Sequence, residues 1–466
     1  STGSSHAAFA PMNGNCDNLT VKGSTGADSM NLNLVRVPGT CDGISIGGLL
    51  TISLGDGNDT LLSARLANGD SVDMGAGDDT VYVLVGSISG TSLTKLDGGA
   101  GSDLLAFTES SGSNGQTLSL TSAGATNFEN LLGSSYQETL QGDANANRIA
   151  GDGGLDTLYG YGGDDVLAAG GYSVVNSSGA GDNYILSVVN DTSSNDNDVL
   201  YGGAGDDMLL GSSGDNTLDG GTGTDTIYSG AGSDTIVIRS GDGSTTLADA
   251  DVLKDFSDGT DVIGMSSVAF DDLTIAQGTG DYASHTLISV TATGEYLLVL
   301  ENTSASNVTV VDFVLNTSAA QTLSGSSGDN TLIGGLGGDT ITTGSGTDNV
   351  LGHAGDDTIT VDGSGVKTID GGAGTDSLTI SYTGITSLSD FTISQNGDYI
   401  VLTDSSSNSV SYKNTESLTV GSYAYTEDTS AKTYYNASEK ALYMYNGAST
   451  GSSHAAFAPM NGNCDN

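Results

Sequence analysis

Residues 202–237 read GGAGDDMLL GSSGDNTLD GGTGTDTIY SGAGSDTIV, four nonapeptides without a gap. Gly stands fourth in all four, Asp sixth in three (Asp207, Asp225, Asp234) and an aliphatic residue eighth in all four. A fixed period with fixed internal positions is the signature of a stacked repeat architecture. Six Gly-rich residues make a tight turn with left-handed backbone angles. The three residues that follow make a short strand with one side chain inward. Nine residues per half-turn predict an 18-residue coil whose two sheets enclose a thin aliphatic core, with Leu209, Leu218, Ile227 and Ile236 stacked in a line. The expected fold class is all-β: parallel β-roll or β-solenoid blocks with antiparallel β-rich spacers.

The period extends outward from this block. SSNDNDVLY, from Ser193, keeps its phase, and a second block begins at Gly325 with GSSGDNTLI, GGLGGDTIT, TGSGTDNVL and GHAGDDTIT, followed after an offset by GGAGTDSLT at Gly371. A third runs from Gly133 as GSSYQETLQ, GDANANRIA, GDGGLDTLY and GYGGDDVLA, and single copies begin at Gly23, Leu54, Met74 and Gly98. Thirteen nonapeptides have Gly fourth and Asp sixth, and the eighth residue is aliphatic or Met in every one; composition alone would produce about three. Turn carbonyls with one added carboxylate form an all-oxygen donor set. Ca²⁺, which takes six to eight oxygens at about 2.3–2.6 Å, suits it. The candidate metal ligands are therefore Asp28, Asp59, Asp79, Asp103, Asp156, Asp165, Asp198, Asp207, Asp225, Asp234, Asp339, Asp348, Asp357 and Asp376. Asn216 and Asn330 replace the sixth-position Asp, with Asp215 and Asp329 beside them, and calcium is expected to be weaker or absent there.

Composition agrees. Of 466 residues 71 are Gly and 3 are Pro, and Asp plus Glu number 57 against 11 Lys plus Arg, a formal charge of −46. Only 8 of the acids are Glu; a merely acidic surface would use both, whereas turns and hard-cation sites favour the shorter carboxylate. The charge excludes a nucleic-acid binder, which depends on cationic contacts to phosphate, and argues against docking on an anionic membrane. Collagen would need Gly at every third position and abundant Pro. No apolar run is long enough to span a bilayer, so no membrane insertion is expected. A chain that is 36% hydrophobic and 15% charged, with regular aliphatic runs, folds rather than staying disordered.

The nonapeptides resemble the GGxGxDxUx repeat of the RTX (repeats-in-toxin) family. That resemblance implies a parallel β-roll with Ca²⁺ between each turn and the turn 18 residues later. Carried over, it pairs the turn of Asp207 with that of Asp225, and Asp339 with Asp357. The flanks are similar to RTX flanks as well: FENLLGSSYQETLQGDANANRIAG at 128–151, DVLKDFSDGTDVIGM at 251–265, its continuation at 297–313, and 390–420 with NTESLTV near its end. The resemblance covers roughly residues 50–420. This family hosts many functions, so membership alone does not name one.

Turn starts at 23, 54, 74 and 98 are unevenly spaced, so 1–130 reads as an irregular, wider β-solenoid. Regular β-roll occupies 131–250, a β-rich flank 251–320, a further β-roll block 321–380 and a β-rich spacer 381–448, with 449–466 the start of another repeat unit. Tyr425, Tyr434, Tyr435, Tyr443 and Tyr445 gather near the end of the spacer, as an aromatic core under a hairpin or as a lateral contact between subunits.

No HExxH and no GxSxG occurs, and the Gly-rich loops lead into three-residue strands rather than into the helix that a phosphate cradle needs. His6, His285, His353 and His454 are the only histidines; His353 falls in a turn and reads as a solvated loop residue. No enzyme activity is expected. The leading reading is a secreted bacterial protein, extracellular or on the cell surface, whose calcium-stabilised tandem units build a fibre, filament or surface layer. The alternatives are an RTX adhesin repeat that binds a glycan or a cell surface, and the carrier region of a secreted toxin or exoenzyme. The expected partners are copies of the chain itself in a covalent or head-to-tail array, with surface glycans as a further class.

The array reading rests on STGSSHAAFAPMNGNCDN, which stands at 1–18 and again, unchanged, at 449–466, an offset of 448. By that offset Cys464 is the next unit's Cys16, which leaves Cys16 and Cys41 as one pair per unit. The alternatives are an artificial duplication and three unpaired thiols. A disulfide closing that loop would stabilise by roughly 3–4 kcal/mol in the chain-entropy model. Mass spectrometry of native material is expected to find Cys16 linked to Cys41, and a peptide running from Tyr445 through Ser449 to Cys464. A terminus at 446–448 with no peptide crossing it would rule out the covalent array.

Overall fold

The computed structural model describes residues 16–31, 46–64, 71–84, 96–108, 115–120, 125–170, 172–176, 184–188, 196–428, 433–436 and 441–444. Cys41, Cys464 and the second copy at 449–466 lie outside them, and with them the expected disulfide. The described residues are all-β, with 3-10 turns as their only helical elements. Two compact units divide the chain: Ser1–Val262 with Thr274–Val308, and Ile263–Leu273 with Thr309–Asn466.

In the first unit, strands alternate between the two sides of a parallel stack; one side is a single sheet, and the other is a four-stranded sheet (Cys16–Lys22, Ile46–Asp56, Ser71–Ala76 and Leu96–Asp97) followed by a second sheet. The single sheet contains Thr60–Ala64, Thr80–Leu84, Leu104–Thr108, Asn130–Leu132, Arg148–Ala150, Val166–Ala168, Met208–Leu210 and Thr226–Tyr228 in turn. The second sheet of the other side includes Gln116–Ser119, Glu138–Gln141, Thr157–Gly162, Val199–Ala204, Thr217–Thr222 and Thr235–Arg239. Each three-residue strand sends its middle side chain inward, because strand side chains alternate between faces. Leu167, Leu209 and Ile227 therefore stack in one row, and Leu158, Leu200, Leu218 and Ile236 in the other. The single line expected for Leu209, Leu218, Ile227 and Ile236 is thus two lines. Successive nonapeptides lie on opposite sheets, and stacking partners are 18 residues apart, not nine.

Near residue 130 the coil length changes from the longer, uneven coils before it (31, 20, 24 and 26 residues between paired strands) to 18, and one sheet runs across the change. Asn130–Leu132 pairs in register with Leu104–Ala106 on one side and Arg148–Ala150 on the other. The uneven early spacings and the long excursion after Gly170 leave the stack intact: Val166 pairs with Met208 across it as other coils pair at 18. Within that excursion Tyr172–Asn176 and Tyr184–Val188 form an antiparallel hairpin. A stack of parallel coils exposes an edge, which invites unwanted pairing. The edge beyond Thr226–Tyr228 is covered by Asp251–Leu253, then by Tyr296–Leu300 in parallel and Thr286–Val290 antiparallel to it. The flank expected at 251–320 is accordingly split between the two units.

The second unit repeats the scheme with Ile341, Ile359, Leu378 and Leu418 in one row and Val350, Ile369 and Tyr412 in the other. It ends in antiparallel strands, Phe391–Asn396 with Tyr399–Asp404 on one sheet and Tyr423–Asp428 onward on the other. The Tyr cluster is core in part. Tyr434 is buried with its hydroxyl 2.5 Å from that of buried Tyr412, and the Tyr425 hydroxyl accepts the Leu388 amide at 3.0 Å. The side chains of Tyr435, Tyr443 and Tyr445 lie outside the described residues.

Candidate metal centre

Each nonapeptide turn is packed backbone to backbone on the turns of neighbouring coils. Gly203, at the second position, has φ +119°, and a Cβ there would strike the Tyr161 carbonyl of the coil before. Gly is favoured at such positions because it alone adopts positive φ without penalty.

The sixth-position acids join these turns into rows. The Asp207 amide donates to Asp225 Oδ1 at 2.8 Å, the Asp165 amide to Asp207 Oδ1 at 2.7 Å, and the Asp225 amide to Asp251 Oδ1 at 2.9 Å. The other side of the coil runs from Asp156 to Asp198 at 2.6 Å, through Asn216, and from Asn216 to Asp234 at 2.8 Å. Asp28, Asp59, Asp79 and Asp103 are linked in the same way despite their uneven spacing. In the second unit Asp339, Asp357 and Asp376 form a row that ends on Glu416. The expected meetings of Asp207 with Asp225 and of Asp339 with Asp357 are present.

One oxygen of each carboxylate is thereby committed; in most of them the other is not. Oδ2 of Asp59, Asp79, Asp103, Asp156, Asp165, Asp198, Asp207, Asp225, Asp234, Asp357 and Asp376 is buried without a hydrogen-bond partner. An unpaired charge in such a place is strongly unfavourable. Burial, opposed by the amide bond and reinforced by neighbouring acids, pushes Asp156 up to about 9 and Asp207 to about 8. Asp225, for the same reasons, rises to about 6.

These orphan oxygens share a space with backbone carbonyls. A Cβ on Gly202 would contact both Asp207 Oδ2 and the Gly220 carbonyl of the next coil, closer than a real Cβ sits; Gly352 stands likewise to Asp357 Oδ2 and the Gly371 carbonyl. Carboxylate and carbonyl oxygens thus face one cradle that Gly keeps open. Among the described residues no three His, Cys, Asp or Glu cluster as a metal site, since most of each donor set is main chain. The hard-oxygen chemistry fits Ca²⁺. The Asp–x–aliphatic acids and the turn carbonyls around them would hold it, and its charge would offset the buried carboxylates.

Departures from the pattern are informative. Asn216 turns its Nδ2 onto the carbonyls of Gly211 (2.8 Å) and Gly214 (3.1 Å), so an amide donor occupies the cradle. Asp28 and Asp339 give their second oxygens to amides of their own turns, Ser24 at 2.6 Å and Gly335 at 2.8 Å. Asp348, expected as a metal ligand, is corrected: its Oδ2 lies 2.6 Å from the Lys367 ammonium, which already neutralises it. His353 is not a solvated loop residue; it is partly buried at φ +69°, its Nε2 is enclosed, and burial holds its imidazole below the ordinary histidine value.

Asp251 and Asp261 escaped the sequence reading although both continue the rows, Asp261 accepting the Asp234 amide at 3.2 Å. Their signal was the tripeptide Asp–x–aliphatic, DVL and DVI, without the Gly-rich lead. Glu129, Glu138 and Glu416 occupy the same register with a longer arm. A second, outer row was also missed: the fifth-position acids Asp206 and Asp215 accept amides of the following coils, Thr224 at 2.9 Å and Ser233 at 2.8 Å.

A family profile described as RTX calcium-binding nonapeptide repeat (4 copies) matches residues 132–171, 192–216, 201–236, 210–244 and 324–359. These blocks are RTX calcium-binding repeats. The chain thus carries RTX calcium-binding repeats, and the coils holding Asp59, Asp79, Asp103 and Asp376 join amide-to-carboxylate rows of the same kind outside the matched stretches. Among solved structures, the chain is similar to the R3 subunit of a mannuronan C5-epimerase from Azotobacter vinelandii, at 21% identity over 39% of this chain and 80% of that one, with a TM-score of 0.16. No curated protein matches.

Two outcomes follow from this geometry. Asp225→Ala is expected to remove bound calcium and loosen the block, and Asp225→Asn to remove calcium while keeping more of the fold, as Asn216 does. Asp215→Ala, which loses an exposed hydrogen bond of about 0.5–1.5 kcal/mol, is expected to leave the calcium count unchanged. Calorimetric titration distinguishes these, and equal calcium loss in the Asp225 and Asp215 variants would contradict the assignment.

The second outcome concerns pH. The buried acids have folded values above the ordinary 3.8, so the metal-free fold binds more protons than the unfolded chain. Its stability is greatest below about pH 4 and falls as pH rises through about 6–9. Circular dichroism in chelator is expected to show more β-structure at pH 5 than at pH 8. At a fixed calcium concentration, the number of ions bound by the folded chain is expected to fall as pH falls, because protons compete for the same oxygens.

Proposed function

We propose that this chain is a calcium-stabilised structural protein of the bacterial exterior, one unit of a tandem array that builds a surface fibre, filament or surface layer. The observation that carries the reading is the use to which the acids are put. In the RTX rows most carboxylates are committed to the neighbouring coil's backbone through one oxygen and face a cation cradle with the other, which is scaffold chemistry. RTX repeats are typical of secreted bacterial proteins, and among the described residues no helix is long and apolar enough to cross a membrane. The unchanged 18-residue segment at offset 448 supports covalent concatenation with further copies.

Calcium would then time the assembly. At low cytosolic calcium the repelling acid rows keep the chain unfolded for export, and millimolar calcium outside folds it. Electron microscopy of chains holding two and four 448-residue units is expected to show regular filaments in millimolar calcium, lengthening with unit number, and none in chelator. Isolated particles that adhere to cells or glycans would favour the adhesin reading, and an unchanged β-signal in excess chelator would contradict calcium-coupled folding.

A further inference from the structure

The second unit contains a nonapeptide with a cation where the acid should be. Residues 362–370 read DGSGVKTID, which aligns with TGSGTDNVL at 343–351 after one inserted residue, Val361, and Lys367 occupies the sixth position. Backbone pairing sets Lys367 directly against Asp348 and Gly365 against Gly346. The Lys367 side chain is 0% exposed. Its Nζ lies 2.6 Å from Asp348 Oδ2, 2.8 Å from the Gly346 carbonyl and 3.2 Å from the Ser364 carbonyl. A carboxylate oxygen and two turn carbonyls, drawn from two successive coils, therefore converge on the ammonium. That is the same kind of donor set that faces the cradles elsewhere in the chain, where the sixth-position Oδ2 has no partner.

We propose that Lys367 is a tethered cation that takes the place of calcium, so that the edge carrying Asp348 keeps its register without metal. Three features favour substitution over an incidental ion pair. The ammonium has carbonyl contacts as well as the carboxylate, and so uses the site's oxygens rather than only its charge. Asp348 retains its coil-to-coil bond, accepting the Asn330 amide at 3.0 Å, so only the calcium-facing oxygen has been taken over. Asn216 does the same with a neutral donor, placing Nδ2 on two turn carbonyls. The opposite edge of this unit keeps its orphan oxygens on Asp357 and Asp376 and stays dependent on metal. A single coil stack thus has one edge closed by its own side chain and one closed by calcium.

Hydrogen–deuterium exchange of the full chain, followed as free calcium is lowered with chelator, tests this. Amides of 346–351 and 365–370 are expected to stay protected at calcium concentrations at least tenfold below those at which 208–210 and 226–228 lose protection. Loss at the same concentration would overturn the proposal. Lys367→Asp is expected to restore a sixth-position acid, raise the bound calcium measured by equilibrium dialysis, and make protection of 346–351 calcium-dependent. A folded Lys367→Asp chain with no additional calcium would also overturn it, as would a Lys367→Met chain whose 346–351 protection responds to calcium as the unaltered chain's does.

Discussion

The rest of the molecule depends on a hydrogen bond from the amide of one coil to the carboxylate of the next. An aspartate side chain is just long enough to reach the sixth-position amide of the neighbouring turn, and the Asp207 to Asp225 bond of 2.8 Å is typical of the set. Making that bond draws the acid under the turn and out of water. One oxygen is satisfied and the other is enclosed among carbonyls, where an unpaired charge is costly. The need for a cation is therefore a consequence of the way the coils are joined.

The chain meets this need in several ways, and each uses a positive partner of different strength. Most cradles present bare oxygens for Ca²⁺. Asn216 supplies an amide group, and Lys367 supplies a full charge. Asp28 and Asp339 use backbone amides of their own turns. Among the described residues, eleven buried Asp Oδ2 atoms are left for metal to neutralise.

The ends of the stacks follow a related logic. A parallel coil can go on adding neighbours, so it must be stopped. Asp251–Leu253 and Tyr296–Leu300 continue the last sheet in parallel, and the antiparallel Thr286–Val290 covers it. In the second unit Glu416 closes the acid row with a longer arm, and the buried Tyr412–Tyr434 hydroxyl pair lies where the coils give way to an antiparallel meander.

The amino-acid sequence by itself determined the coil. The nine-residue period, the sixth-position acid and the eighth-position aliphatic residue specify a turn, a ligand and a core contact, all of them local. It also showed where the pattern weakens, at Asn216 and Asn330. Through its family resemblance it also set Asp207 against Asp225 and Asp339 against Asp357, but it could not show which coils meet where the spacing departs from 18, as Asp165 and Asp207 do across 42 residues. Only tertiary structure separated the core into two rows, carried the early irregular coils and the coils around the 172–188 hairpin into one unbroken ladder, and added Asp251 and Asp261 to it. It also removed Asp348 from the metal sites, since the buried ammonium that neutralises it comes from Lys367 on the next coil, a position where the repeat pattern calls for an acid.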